Sequence, residues 1–113
     1  MSVVEAVLAE PGARLPSGAS ATVLSGFYEG LEVELNRSRT VIGRGRKADL
    51  ALAEATTSRA HTVIVFDGAD FFVDDLGSTN GTLVNGERVT KRPLVSRDEI
   101  QMGTLRMGVT LPG

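Results

Sequence analysis

The chain has 113 residues, a formal net charge of −2 and no cysteine. This length suits a single domain with its own core, and the near-neutral charge argues against general recruitment by nucleic acid or anionic lipid. The lack of cysteine excludes disulfides and thiolate metal sites, and it favours an intracellular, cytoplasmic protein.

Residues 1–20 differ in character from the rest of the chain. The apolar positions with helical spacing are Val3, Val4, Val7 and Leu8. The stretch PGARLPSGAS then brings a cluster of helix breakers, and the absence of a basic start argues against a signal peptide. No apolar run reaches the ~20 residues that span a bilayer. We therefore expect an N-terminal extension and linker over residues 1–20, one domain over residues 21–113 and no membrane insertion.

From about residue 21 apolar and polar residues alternate, which is the period of two expected of strands. The segment LEVEL places Leu31, Val33 and Leu35 on one face and predicts a half-buried strand. RTVIG is a second β-branched run, and ADLAL offers Leu50 and Leu52 to one side. These segments predict a series of short strands rather than helices.

Two hairpins follow, and a long strand closes the chain. HTVIVF and FFVDD flank Asp67-Gly68, and TLV and ERVT flank Asn85-Gly86. Both dipeptides are strong hairpin signals. The closing segment LRMGVTL alternates its apolar residues. About ten short strands with Gly-rich turns predict an all-β sandwich or barrel.

A first polar cluster lies in IGRGRKAD, where Arg44, Arg46 and Lys47 surround glycines. Such a loop can hold an anion, because glycine lets the backbone turn sharply towards a ligand. Residues 43–48 also fit the dinucleotide pattern G-x-G-x-x-A, but that pattern requires a following helix and a parallel strand, which are not predicted here. A solvated basic turn is the other alternative for this cluster.

A second cluster, TTSRAH, comes just before the HTVIVF strand. Ser58 offers a hydroxyl and Arg59 offers several N–H donors. His61 is the only histidine, and we interpret it as a packed residue that holds the loop by a ring hydrogen bond. A catalytic pair of Ser58 and His61 is disfavoured, because their spacing points the side chains to opposite faces and no orienting carboxylate is evident.

The third cluster, STNGTLVNG, contains two Asn-Gly pairs. Thr79 and Asn80 supply hydrogen-bond donors and acceptors beside Gly81, which suits a ligand-binding loop. Loops of a sandwich gather at its ends, so the three clusters are expected to meet. Cationic and neutral donors suit an oxyanion, above all phosphate, and a single His without Cys argues against a zinc site.

The motifs together resemble the forkhead-associated (FHA) domain family over about residues 21 to 112. They stand in the family's order as Gly43-Arg44, Ser58-Arg59-Ala60-His61, Ser78-Thr79-Asn80-Gly81-Thr82 and Asn85-Gly86. The resemblance implies a β-sandwich of about eleven mostly antiparallel strands. It also implies that loops at one end of the sandwich bind phosphothreonine in a partner protein.

The resemblance further implies roles for single residues. Arg44 and Ser58 match phosphate-contacting positions, and Arg59 matches a neighbouring position that contacts the phosphate or the peptide. Thr79 matches a position beside the bound residue, and Asn80 matches the one that holds the peptide backbone. The positions matched as structural are Gly43, His61, Gly81, Asn85 and Gly86. Thr56 matches a variable position that reads the residue three after the phosphothreonine.

The function expected from this resemblance is a non-catalytic phosphothreonine-binding module of Ser/Thr kinase signalling. It implies no catalytic residue, metal or cofactor, and it implies a monomeric domain. One alternative is a structural assembly module of the same fold, as in a secretion apparatus, that does not read phosphate. A second alternative is nucleic-acid binding through NRSRTVIGRGRK, although aromatic residues for base stacking are scarce.

Overall fold

The computed structural model describes residues 15–112, so the helical spacing of Val3, Val4, Val7 and Leu8 lies outside the described residues. Within this part the chain forms eleven strands and no helix. They are β1 (Ser20–Val23), β2 (Glu32–Glu34), β3 (Arg39–Gly43), β4 (Leu50–Ala51), β5 (Thr62–Phe66), β6 (Phe71–Asp75), β7 (Thr82–Val84), β8 (Glu87–Val89), β9 (Lys91–Pro93), β10 (Glu99–Met102) and β11 (Leu105–Thr110).

The strands pair into two sheets. One sheet has the order β2-β1-β11-β10-β7-β8, and the other has the order β4-β3-β5-β6-β9. Every pair is antiparallel except β3 with β4, which is parallel. The predicted all-β sandwich of about eleven mostly antiparallel strands is confirmed.

The core lies between the sheets and is built by alternation along each strand. In β11, Leu105, Met107 and Val109 are at most 2% exposed, as the sequence pattern predicts. The other buried apolar residues of this core are Ala19, Ala21, Val23, Leu35, Ile42, Leu52, Ile64, Phe71, Val73, Val84, Leu94, Ile100 and Met102. A packed core fixes the strand register, because a slip of one residue would turn every apolar side chain outward.

Both predicted hairpins are confirmed, and they differ in their turns. Asn85 and Gly86 have φ angles of 51° and 86°, which makes a two-residue turn of the type that suits the twist of a hairpin. The other loop is longer and spans residues 67–70. There the Asp67 carboxylate accepts hydrogen bonds from the N–H groups of Ala69 at 2.9 Å and Asp70 at 2.8 Å.

Two local features depart from the sequence pattern. Leu31 is 40% exposed although LEVEL predicts it on the buried face, because it lies in the turn before β2, which is a sheet edge. Strand β9 carries no apolar alternation and is not predicted. It pairs with β6 alone, at the edge of its sheet, where Pro93 is tolerated.

The chain segments before β1 and after β11, which we call the two flanks, leave the sandwich at the same end. Ser20 in β1 is paired with Thr110 in β11. A groove at this end is lined by residues of both flanks and of the β5–β6 loop, among them Leu15, Ala69 and Leu111. The β10–β11 turn lies at the other end, since β11 runs away from it towards Thr110.

Candidate functional site

Three loops meet at the end of the sandwich that carries the β10–β11 turn. Loop A (residues 44–49) follows β3, loop B (residues 52–61) joins β4 to β5, and loop C (residues 76–81) joins β6 to β7. The register brings them together, because the start of β5 lies opposite the ends of both β3 and β6. The predicted convergence of the three polar clusters therefore follows from the strand order.

Loops A and B are bonded to each other through their backbones. The N–H of Arg44 donates to the Ser58 carbonyl at 2.9 Å, and the N–H of Gly45 donates to the Arg59 carbonyl at 3.0 Å. A side chain at Gly43 would overlap the Arg59 carbonyl, so this close approach requires glycine there. The result is a narrow seam that holds Arg44 beside Ser58.

His61 connects loop B to loop C from beneath the surface. Its ring is fully buried, with Nδ1 3.0 Å from the Ser58 N–H and Nε2 2.7 Å from the Gly81 carbonyl. Because Nδ1 accepts a hydrogen bond, Nε2 carries the ring hydrogen and donates it to Gly81. His61 meets the Ser58 backbone and not its hydroxyl, so the two side chains do not form a nucleophile and base pair.

Loop C reaches back across loop B with two further hydrogen bonds. The N–H of Thr79 donates to the Ser58 hydroxyl at 3.1 Å. The side-chain amide of Asn80 donates to the Thr56 carbonyl at 2.7 Å, which fixes the orientation of the amide. The Asn80 Oδ1 atom therefore faces away from Thr56 and can accept a hydrogen bond from a ligand.

An acidic residue that the sequence analysis missed holds loop C in shape. Asp75 Oδ1 accepts hydrogen bonds from the hydroxyls of Ser78 at 2.6 Å and Thr82 at 2.7 Å. Asp75 Oδ2 accepts from the N–H groups of Gly77 and Ser78, both at 3.1 Å. Partial burial acts to raise the pKa of Asp75, but these hydrogen bonds outweigh it and the pKa is lowered. The sequence signal that could have revealed this role is the spacing of three residues between Asp75 and Ser78, at which an Asp side chain can accept hydrogen bonds within its own turn.

The second sheet supports loop B from the other side. The N–H of Thr104 donates to the Thr56 hydroxyl at 2.8 Å, and the two threonine hydroxyls are 2.9 Å apart. The buried Thr57 hydroxyl donates to the Met102 carbonyl at 3.1 Å. Both sheets therefore hold the loop that carries Ser58.

The loops enclose a shallow pocket of about 160 Å³. Its lining residues are Arg44, Ala55, Thr56, Thr57, Ser58, Thr79 and Asn80. The Arg44 Nε atom donates to the Thr57 carbonyl at 3.1 Å, which anchors the guanidinium and leaves its terminal N–H groups for a ligand. This pocket offers a cation, hydroxyls and an amide, and none of its lining residues is a carboxylate.

Four of the five predicted binding residues thus line one pocket. Arg59 does not line it and lies instead in an adjoining groove. The structure also places a cation beside loop C that the sequence patterns do not indicate. It is Arg88 of β8, whose side chain lies against Gly81. Arg88 lies in a strand outside the three polar clusters, so no local pattern marks it.

The two Asn-Gly pairs have separate places. Asn80 lines the pocket, whereas Asn85 lies in the β7–β8 turn. There its side chain donates to Asp98 Oδ1 at 2.8 Å and accepts from the Glu99 N–H at 2.9 Å. The first pair belongs to the site, and the second reverses the chain and ties the hairpin to β10.

Across residues 15–112, no group of three His, Cys, Asp or Glu side chains is placed to hold a metal ion. In the same residues no helix has the length and apolar character needed to cross a membrane. The pocket is the candidate functional site because it gathers Arg44, Ser58, Thr79 and Asn80.

Comparison with known proteins shows which family the domain resembles. The family profile of the FHA domain matches residues 40–103, a range that contains all three loops. A solved structure from a structural and functional analysis of phosphothreonine-dependent FHA domain interactions superposes with a TM-score of 0.77 at 32% identity. The match covers 84% of this chain and 97% of that one.

Two curated relatives match most of the chain. The glycogen accumulation regulator GarA of Mycolicibacterium smegmatis is 38% identical over 94 residues, which cover 82% of this chain and 60% of the relative. The oxoglutarate dehydrogenase inhibitor of Corynebacterium efficiens is 36% identical over 94 residues, which cover 82% of this chain and 66% of the relative. The matched region thus spans less than two thirds of the length of each relative.

Proposed function

The chain belongs to the FHA domain family, and on this premise we propose that it is a non-catalytic module that binds partner proteins through a phosphorylated threonine. The observation that carries the proposal is the pocket in which Arg44, Ser58, Thr79 and Asn80 meet. A phosphothreonine brings about −1.5 to −2 charges and three acceptor oxygens, which such a set of donors matches.

Each residue has a proposed role that its fixed geometry supports. Arg44 binds the phosphate with the terminal N–H groups of its anchored guanidinium, and Ser58 donates its hydroxyl hydrogen. Thr79 lies beside the bound residue, and Asn80 holds the peptide backbone through its amide. Arg59 contacts the peptide from the adjoining groove.

The affinity follows from the number of charged contacts. Each charge-assisted hydrogen bond contributes about 1.5–3 kcal/mol net. Two or three of these total about 3–9 kcal/mol, and the cost of ordering a flexible peptide comes off that sum, so we expect an affinity no tighter than the micromolar range, about −8 kcal/mol. This strength suits a reversible signalling contact.

The wider setting is also part of the proposal. We place the domain at residues 21–113, with residues 1–20 as its extension, and note that β1 begins at Ser20 and that Ala19 is buried. The partner is a substrate of a Ser/Thr kinase, and the domain acts as a cytoplasmic monomer without a cofactor or enzymatic activity. Relatives named as a regulator and an inhibitor fit this setting.

The test compares phosphorylated and unphosphorylated forms of one threonine peptide library by fluorescence anisotropy. We expect binding of the phosphorylated form only, and we expect Arg44→Ala to abolish that preference while the fold stays intact. Equal binding of both forms contradicts the proposal. A partner that binds wild type and Arg44→Ala equally well favours a phosphate-independent assembly module instead.

Arg39→Ala is the matched control. Arg39 is an exposed arginine at the start of β3, five residues before Arg44 and about 17 Å from it at the rise of a strand. Its removal changes the net charge by the same amount as Arg44→Ala. We expect it to leave phosphopeptide binding within about twofold of wild type, since exposed charges at that distance are largely screened.

A further inference from the structure

A second concave surface adjoins the pocket on the far side of Arg44, which lines both. This surface, the cationic groove, has a volume of about 650 Å³. Its lining residues are Val41, Arg44, Gly45, Arg46, Lys47, Ala48, Arg59 and Ala60. Half of them carry a positive charge and none carries a negative one, so the groove selects for anions.

The charges of the groove are not neutralised within residues 15–112. The ion pairs in this part of the chain engage Arg37, Arg92 and Arg106, and none engages a cation of the groove. Asp49 is the carboxylate of loop A, and it bonds to residues other than the cations of the groove. Its Oδ1 accepts from Arg37 at 2.9 Å, and its Oδ2 accepts from the Val41 N–H at 2.8 Å.

The backbone around the groove is held in place before any ligand arrives. The N–H of Gly45 donates to the Arg59 carbonyl at 3.0 Å, which fastens loop A to loop B. The N–H of Ala48 donates to the Gly45 carbonyl at 3.1 Å and closes the turn that carries Arg46 and Lys47. A ligand therefore meets a formed backbone and orders only the ends of the long side chains.

We propose that the cationic groove is a second anion subsite for the same phosphopeptide, formed by Arg46 and Lys47 together with Arg59. It binds an acidic side chain or a second phosphate that lies on one side of the phosphothreonine. The subsite deepens the proposed function and rests on it, because Arg44 belongs to both surfaces. The apolar residues Val41, Ala48 and Ala60 allow an aliphatic side chain of the peptide to pack beside the anion.

The proposal predicts an asymmetry that general attraction between charges does not produce. The groove borders Arg44, whereas Thr56 lines the pocket and not the groove. Acidic residues in the peptide should therefore raise its affinity only when they lie on one side of the phosphothreonine. General electrostatic steering by a basic surface would respond to both flanks alike.

The experiment measures the affinities of four phosphothreonine peptides by isothermal titration calorimetry at about 0.1 M salt, where screening acts over roughly 10 Å. One peptide has neutral flanks, one has three Glu before the phosphothreonine, one has three Glu after it, and one carries a second phosphothreonine on the preferred side. We expect one acidic flank to lower Kd about three- to tenfold, as one or two exposed charge pairs would. The comparison of the Glu peptide with the doubly phosphorylated peptide shows which of these two anions the groove binds more tightly.

The double variant Arg46→Gln/Lys47→Gln tests the assignment, with Lys91→Gln/Arg92→Gln as its matched control. The control removes the same charge from neighbouring residues of β9, three strands from β3 and about 14 Å away. We expect the ratio of neutral-flank to acidic-flank Kd to fall to about one in the first variant. The control should keep the ratio of wild type.

Two results overturn the inference while the proposed function stands: an equal gain from both flanks, or a ratio that Arg46→Gln/Lys47→Gln leaves unchanged. Random duplex DNA that competes with the peptide, and whose binding this variant abolishes, overturns it in favour of nucleic acid. If the neutral peptide binds equally with and without its phosphate, the proposed function itself fails and the inference with it.

Discussion

Asp75 illustrates how one side chain positions a site that it does not line. It takes up four hydrogen bonds from loop C and the start of β7, and Thr82 also bonds to Thr62 at 2.8 Å. Since Thr82 gives its hydroxyl hydrogen to Asp75, Thr62 is the donor of that last bond. The chain of bonds runs from loop C into both sheets, so the shape of the loop depends on the charge of Asp75.

We expect Asp75→Asn to lower the free energy of unfolding by about 1–2 kcal/mol at pH 7, because the charge is lost and the amide NH2 cannot accept the hydrogen bonds that the second carboxylate oxygen accepts. The pKa of Asp75 is lowered in the folded state, so its stabilising contribution is complete above the ordinary carboxyl pKa of about 3.9. The contribution is lost as the pH falls through the lower folded value. The difference between wild type and variant should therefore shrink below about pH 4.

Urea denaturation at pH 7, 5 and 3 measures this difference. Asp74→Asn, one residue earlier in β6, is the control, because it removes the same charge and leaves the hydrogen bonds of Asp75 to loop C in place. A gap between wild type and Asp75→Asn that stays constant down to pH 3 would mean that the charge of Asp75 does not hold loop C.

At the scale of elements, the two Asn-Gly pairs occupy different places and are expected to differ in what they contribute. Asn85 has a φ of 51° and bonds through its side chain to Asp98 and Glu99, so it stabilises the β7–β8 turn. Asn80 lies in the pocket and bonds to Thr56. The same dipeptide thus forms a hairpin turn in one place and lines the pocket in the other.

We expect Asn85→Ala to cost about 1–3 kcal/mol of folding free energy, because it leaves Asp98 with one partner fewer and strains the turn. Its phosphopeptide affinity should stay near that of wild type. Asn80→Ala should show the reverse, with nearly unchanged stability and an affinity about tenfold weaker, the equivalent of about 1.4 kcal/mol. Thermal melts and anisotropy on both variants check this pair, and an equal loss of affinity in both would refute the division.

The elements could be predicted from the sequence wherever one face of a strand is buried. LRMGVTL alternates cleanly because β11 lies inside its sheet between two neighbours, whereas β9 has one neighbour and no alternation. Loop residues Arg44 and Ser58 stand in recognisable motifs. Asp75 was missed because its role arises from hydroxyls up to seven residues away, which no strand pattern encodes.

The position of Arg59 relative to Arg44 could not be predicted either. Two neighbouring arginine-bearing loops are expected to share one pocket, yet the backbone seam between them sends Arg59 into the cationic groove. Which of the two surfaces Arg59 lines depends on the direction of its side chain across the contact between the loops. The role of Arg59 in peptide binding stays a prediction.

At the scale of the whole molecule, the pocket is coupled to both sheets. Thr57 bonds to Met102, Thr56 bonds to Thr104, and Thr62 bonds to Thr82, and each of these bonds joins the β3–β5–β6 side to the other sheet. Ligand binding should therefore stabilise the folded domain as one unit. Binding to the folded state alone stabilises it by RT ln(1 + [L]/Kd).

We expect a phosphopeptide at 100 times its Kd to slow the slowest amide hydrogen exchange in β5 and in β11 by the same factor, about 100, since both exchange through global unfolding. Hydrogen exchange followed by NMR measures the two strands in one experiment, and the unphosphorylated peptide is the control. Slowing confined to loops B and C would show that the ligand orders its own site without stabilising the sandwich.

The pairing of Ser20 with Thr110 bears on how the domain can be handled and connected. The described segments before β1 and after β11 lie at the end remote from the pocket, so we expect a tether, label or fused protein attached beside either strand to leave the pocket open to solution. A circularly permuted chain could join the two flanks and open between Asp67 and Asp70. Its new ends would then lie in the β5–β6 loop, which is also at the end remote from the pocket. Attachment chemistry for surface capture can thus be chosen freely on this side of the molecule.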